Sequence, residues 1–200
     1  MRGLTGARNS RLDVALGAID AANALDPTHV AVRGEELPLA LAHGLLASAW
    51  ISRLVGDGDD ALILAARAHH LRRWEVPRAS YPAGKAGYLR WRKDQKARHA
   101  RDVEVLLADA GYDPATIERV QALIRRDDLG RDAGAQAIED AAALAFLETQ
   151  LSELATKLEH AHVVEVLRKT ARKLSPAGLA AASEIPLDGT GRVVLREALG

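Results

Sequence analysis

Apolar residues return every three or four positions along most of this chain, and no stretch alternates convincingly at a period of two. The first spacing lays them along one stripe of an α-helix; the second would lay them on one face of a strand. Leu12, Ala15, Leu16, Ile19 and Ala22 predict a first helix over residues 12–24, with Asn9-Ser10 placed to cap it and Asp26-Pro27 to end it. The Gly34-Glu-Glu-Leu-Pro38 stretch reads as a loop, with Pro38 in the first turn of a second helix that Gly56-Asp57-Gly58 breaks. Asp59 or Asp60 caps a third helix over residues 61–73, apolar on nearly every side as far as His69. Two prolines and two glycines make the following stretch a structured loop. Further helices are expected over 88–110, 114–126, 135–158 and 161–173, and a short one opens at Ser175-Pro176. No strand is expected.

Composition agrees with that pattern. Hydrophobic residues make up 48% and aromatics 4%, so the core is built from Ala, Leu, Val and Ile, of which Ala and Leu favour helices. The expected fold is one all-α domain over residues 1–200, a length that buries a core without staples. The absence of cysteine excludes disulfides, thiolate ligands and a Cys nucleophile. No signal-like or membrane-spanning run is visible, and a cytoplasmic protein with no membrane partner is expected.

Seven histidines are present, and four stand out. His43, His69, His70 and His99 sit on or near helices rich in apolar residues, where an unpartnered polar group is costly. They are either separate core histidines, each bonded to the backbone, or ligands converging on a metal, for which neutral imidazole is a common donor. Asp140 lies in an otherwise apolar helix and is the natural carboxylate to complete such a set. Its neighbour Glu139 is expected to face outward, and Glu148 lies two turns on. His29, His160 and His162 read as loop or surface residues.

Charge changes the picture locally. The 27 basic and 27 acidic residues balance, so the chain lacks the broad basic footprint of a nucleic-acid binder. Between Arg67 and Arg101, however, eleven basic residues meet only Glu75 and Asp94, interleaved with Trp74, Tyr81, Tyr88 and Trp91. Such a segment is either a solvated face with core aromatics or an anion site. On the second reading Arg72, Arg73, Arg78, Tyr81, Lys85 and Arg92 bind a small phosphorylated molecule or nucleotide. Lys169, Arg172 and Lys173 complement a helix C-terminus, with a further phosphate contact as the alternative.

Several segments resemble the HD superfamily of metal-dependent phosphohydrolases. LAHGLLASAWISRL resembles the segment carrying that family's first His, here His43. LILAARAHHL resembles its His-Asp helix, with His69 on the His and His70 on the Asp. HARDVEVLLADAGY resembles a helix supplying a third His, here His99, and IEDAAALAFLE resembles the closing Asp helix, here Asp140. The resemblance covers residues 38–148 and implies an HD-like helical bundle with a C-terminal helical extension over 159–200. It implies one divalent transition metal, iron, manganese or similar, held by His43, His70, Asp140 and His69 or His99. The implied activity is phosphoester or nucleotide hydrolysis; the alternatives are a non-catalytic HD-like module binding the same class of ligand, or an iron-dependent oxygenase. The sequence departs from the family at His70, which replaces the signature Asp, and at Leu123-Ile-Arg-Arg-Asp-Asp128, where two-metal members carry another His. A closer resemblance, carried by HHLRRWEVPRASYPAGKAGYLRWR and LRKTARKLSP, is to the family called domain of unknown function 4202, whose name implies no activity.

Overall fold

A computed structural model describes residues 3–56 and 58–199. Helix α1 (Gly3–Asn23) leads into a β-hairpin of β1 (His29–Val32) and β2 (Glu35–Pro38). Then follow α2 (Leu39–Val55), α3 (Asp60–Ala68), two short 3-10 turns, α4 (Gly84–Asp109), α5 (Pro114–Arg125) and α6 (Ala133–Lys157). The chain closes with α7 (His160–Ala171), α8 (Pro176–Ser183) and α9 (Gly189–Leu199). The fold is all-α apart from the hairpin. Helix α6 packs along α2 and touches α3, α5, α7, α8 and α9, so it is the spine of the bundle. Ile51, Leu64, Leu107, Leu123, Ile138, Leu144 and Leu151 fill the space between the helices. Among the described residues, no helix is long and apolar enough to cross a membrane.

Most boundaries follow from caps visible in the sequence. Asp59, Asp113, Asp132 and Ser175 each accept a hydrogen bond from a backbone N–H of the first helical turn of α3, α5, α6 and α8. Pro38 starts α2 without a capping side chain; instead buried Asp26 accepts from Ala40 N at 3.0 Å and Thr28 N at 2.9 Å.

Three expectations need correction. The stretch from Gly34 to Pro38, expected as a loop, is the turn and second strand of a hairpin over residues 29–38. Its antiparallel register pairs Val32 with Glu35 across Arg33 and Gly34, both at positive φ (52° and 89°), the conformation of a tight two-residue turn. Four-residue strands are too short to show alternation in sequence. Helix α3 stops at Ala68 rather than running to 73, because Arg72 adopts the left-handed conformation and donates its N–H to Asn23 Oδ1 at 3.0 Å. Helix α1 runs through Asn9-Ser10 instead of starting there; those two side chains, and Asp57, lie outside the described residues.

Candidate metal centre and anion cavity

The early end of α3 is what builds the site. His69 is the C-cap of α3, and its Nδ1–H donates to the Ala66 carbonyl at 2.8 Å, satisfying one of the helix's last free acceptors. That bond fixes the tautomer and leaves Nε2 as a lone pair, buried and without a hydrogen-bond partner. His43, on α2, is fixed from the opposite side. Thr149 Oγ1 gives its proton to the Ala145 carbonyl at 2.7 Å and so accepts from His43 Nε2–H at 3.0 Å. The lone pair of His43 is then on Nδ1, which is also buried and without a partner in hydrogen-bond geometry; the Gln150 side chain lies near the ring but falls short of it.

His70 follows His69 out of the helix and brings its ring between them. Its centroid lies 4.1 Å from that of His69, 4.6 Å from His43 and 6.1 Å from His99 on α4. One ring nitrogen from each of His43, His69 and His70 lies within 4.8 Å of the others, close enough to share one ion. Burial holds all four imidazoles neutral, the form that ligates a metal. It pushes His43 and His99 down to about 3, helped at both by the Arg73 charge. His69 and His70 are also well below the ordinary imidazole value, by burial and then by Arg126 and Arg73 respectively. Neither nitrogen of His99 has a partner in hydrogen-bond geometry; the Leu71 carbonyl lies near the ring but falls short of it.

The cluster opens into a cavity of about 380 Å³. Helix α4 lines it with Tyr88, Trp91, Arg92, Lys96 and His99, and α6 with Glu139, Ala142, Ala143, Phe146 and Gln150. Both sets recur every three or four residues, a single helical stripe. Val166, Thr170 and Lys173 close the third side, and Arg73 and Arg126 reach in from the loops after α3 and α5. Arg73 lies 4.4 Å over the Trp91 ring and Arg92 5.8 Å over Tyr88. The rings therefore hold guanidinium groups. Among the described residues, no salt bridge within 4.0 Å engages Arg73, Arg92, Lys96 or Lys173. Burial lowers Arg73 to about 10, and burial with the Arg126 charge lowers Lys96 to about 8.

Several expected site residues lie elsewhere. Asp140 is buried but apart from the histidines: Oδ1 accepts from Gln136 Nε2 at 2.8 Å and Ser175 N at 3.0 Å, and Oδ2 accepts from Ser175 Oγ. It sits on the stripe of α6 that faces α8, outside the group formed by His43, His69 and His70. Glu139, expected outside, is the carboxylate in the cavity, 3.3 Å from buried Arg126. Burial works to raise its pKa, but Arg126, Lys96, Arg92 and Lys173 together hold it below the ordinary value. Glu148 turns to the hairpin side, accepting from Trp50 Nε1 at 2.6 Å and pairing with Arg33.

In the basic loop, Arg73 and Arg92 reach the cavity and Arg72, Arg78, Tyr81 and Lys85 do not. Arg78 donates to the carbonyls of Tyr81, Pro82 and Gly84, Tyr81 donates to Asp94 at 3.0 Å, and Lys85 is exposed. These residues shape the loop, which Trp91 Nε1 and Gln95 Nε2 tie to α4 through the Val76 carbonyl. Lys96, Arg126, Glu139 and Gln150 were not singled out from the sequence. The α4 and α6 stripes carried the signal for three of them; Arg126 gave none, since its position depends on a left-handed backbone (φ 59°).

No curated protein and no solved structure matched the chain. A family model did match, across residues 13–194, and so takes in every element that lines the cavity. The chain accordingly belongs to the family described as Domain of unknown function (DUF4202).

Proposed function

We propose that the cavity holds one divalent transition metal on His43, His69 and His70, in an HD-like arrangement that acts on a small phosphorylated molecule or nucleotide as a phosphohydrolase. The observation that carries this reading is the pair of buried, unbonded lone pairs, His43 Nδ1 and His69 Nε2, beside a wall of unpaired cations. Leaving a buried polar atom unsatisfied costs about 1–3 kcal/mol. Two such atoms in one histidine group, each on a ring whose other nitrogen is hydrogen-bonded, match how ligating histidines are held. An all-imidazole set suits iron or zinc better than manganese, which prefers carboxylates. Such an ion supplies Lewis acidity toward a phosphoryl oxygen.

The chain's own residues do the rest. Arg92, Lys96 and Lys173 bind and orient the phosphate, and Arg73, held flat by Trp91, presents a planar donor fork to it. Lys96 Nζ, pushed down to about 8, holds a proton that it can release near neutral pH. Ala142, Ala143 and Phe146 form an apolar wall that limits water beside the reacting group. The volume suits a nucleoside monophosphate or smaller ester.

The test is phosphate release from a panel of nucleotides and small phosphomonoesters, with metal-stripped protein reloaded with iron, zinc or manganese. Turnover that needs the metal and disappears in His70→Ala is expected. A second reading, a binding module without turnover, draws support from the cluster's having, among the described residues, no carboxylate. Esters that raise Tm but release no phosphate with any metal would favour it.

A further inference from the structure

Resting on the metal reading above, we infer that metal and anion bind this cavity cooperatively, the cation being held tightly only with a phosphate-like anion between it and the cationic wall. The charges in the cavity force this coupling. Three neutral imidazoles bring no negative charge to a divalent ion. Among the described residues, Arg73, Arg92, Lys96 and Lys173 face the same space without salt-bridge partners, and the cavity's carboxylate, Glu139, is engaged by Arg126. Asp140 and Glu148, the nearby acids of α6, are committed to Ser175 and to Trp50 with Arg33. A cation entering alone therefore adds positive charge to a desolvated positive site, which is unfavourable in a low-dielectric interior. A phosphate dianion placed between them offsets part of both sets of charge at once, and the cavity has room for it.

The experiment is a titration of the metal-free full-length protein with Co2+ in a sulfonate buffer, with and without inorganic phosphate, followed by absorption and calorimetry. Phosphate is expected to tighten Co2+ about tenfold or more, and Co2+ to tighten phosphate by the same factor, since coupling between sites is reciprocal. Free phosphate that merely complexed Co2+ would shift the apparent affinity the other way. Lys173→Ala changes an exposed residue at the mouth and keeps the fold. In it, Co2+ should bind more tightly without phosphate than in the wild type, and the enhancement should shrink. Arg92→Gln gives the same readout from α4. Co2+ binding that is equally tight with and without phosphate overturns the coupling and leaves the metal site standing. No Co2+ binding in either buffer overturns the metal reading itself.

Discussion

Two sets of buried polar groups lie a short way apart in this bundle, and they differ in how completely they are bonded. Asp140 has every oxygen engaged, by Gln136 and by the backbone and hydroxyl of Ser175. Helix α8 comes so close that a Cβ on Gly178 would lie 2.7 Å from the Asp140 carboxyl carbon, so only glycine fits there. The histidine cluster is bonded on one side only. Thr149 and Ala66 fix His43 and His69, and their remaining nitrogens are left open toward a cavity. A fully satisfied polar group holds the fold together; a half-satisfied and well-oriented one is available to something else. Type and burial alone do not separate the two, since Asp140 and His69 are equally buried at 2% exposure.

Substitutions should split the two regions cleanly. The largest effect is expected from His69→Ala or His70→Ala, which should reduce bound metal from about one ion per chain to a trace, because three ligands are the minimum for such a site. Metal analysis of the purified variants checks this, and the metal-free stability should change by only about 1 kcal/mol. Asp140→Ala should do the reverse. Leaving Ser175 and Gln136 without their acceptor costs about 3 kcal/mol, a fall of roughly 6–12 °C in Tm, with metal content unchanged. Loss of metal in that variant at a temperature where it is folded would merge the two regions. Thr149→Val keeps the shape but removes the acceptor that orients His43; metal affinity should drop about 10- to 100-fold, as measured by competition with a chelator.

The smallest expected effect is the share of a single histidine in a pH dependence of stability. The four imidazoles are neutral in the fold and regain the ordinary value of 6.5 on unfolding, so the unfolded chain binds more protons in acid. Stability of the metal-free protein is then full above pH 6.5 and falls as pH drops from there toward about 3, the value to which His43 and His99 are lowered. Each histidine contributes about 1.4 kcal/mol per pH unit within that window. Denaturant melts from pH 8 to 5 measure the slope, which His99→Gln should flatten.

The sequence made the helices legible because caps and apolar periodicity are local signals: Asp113-Pro114, Asp132 and Ser175-Pro176 mark starts that the structure keeps. The hairpin was hidden because strands of four residues are shorter than the pattern that identifies them. The convergence of His43, His69 and His70 was visible only as four histidines in apolar surroundings, and the geometry bears out their proximity. The structure bonds the expected carboxylate, Asp140, to Gln136 and Ser175 for a reason the sequence does not carry. An Asp among Ala and Leu requires a partner, but the sequence does not say whether that partner is an ion or Ser175, 35 positions away. Likewise Arg78 and Arg73 are alike in sequence. Loop carbonyls capture the first, while the second is laid over Trp91 into the cavity.

The most direct measurement is elemental analysis of protein purified without an affinity tag or chelator, beside the His43→Ala, His69→Ala and His70→Ala variants. About one transition-metal ion per chain in the wild type and a trace in each variant is the expected result. Wild-type protein that stays metal-free even after reconstitution with iron, zinc and manganese, or variants that keep the wild-type amount, would contradict the histidine centre.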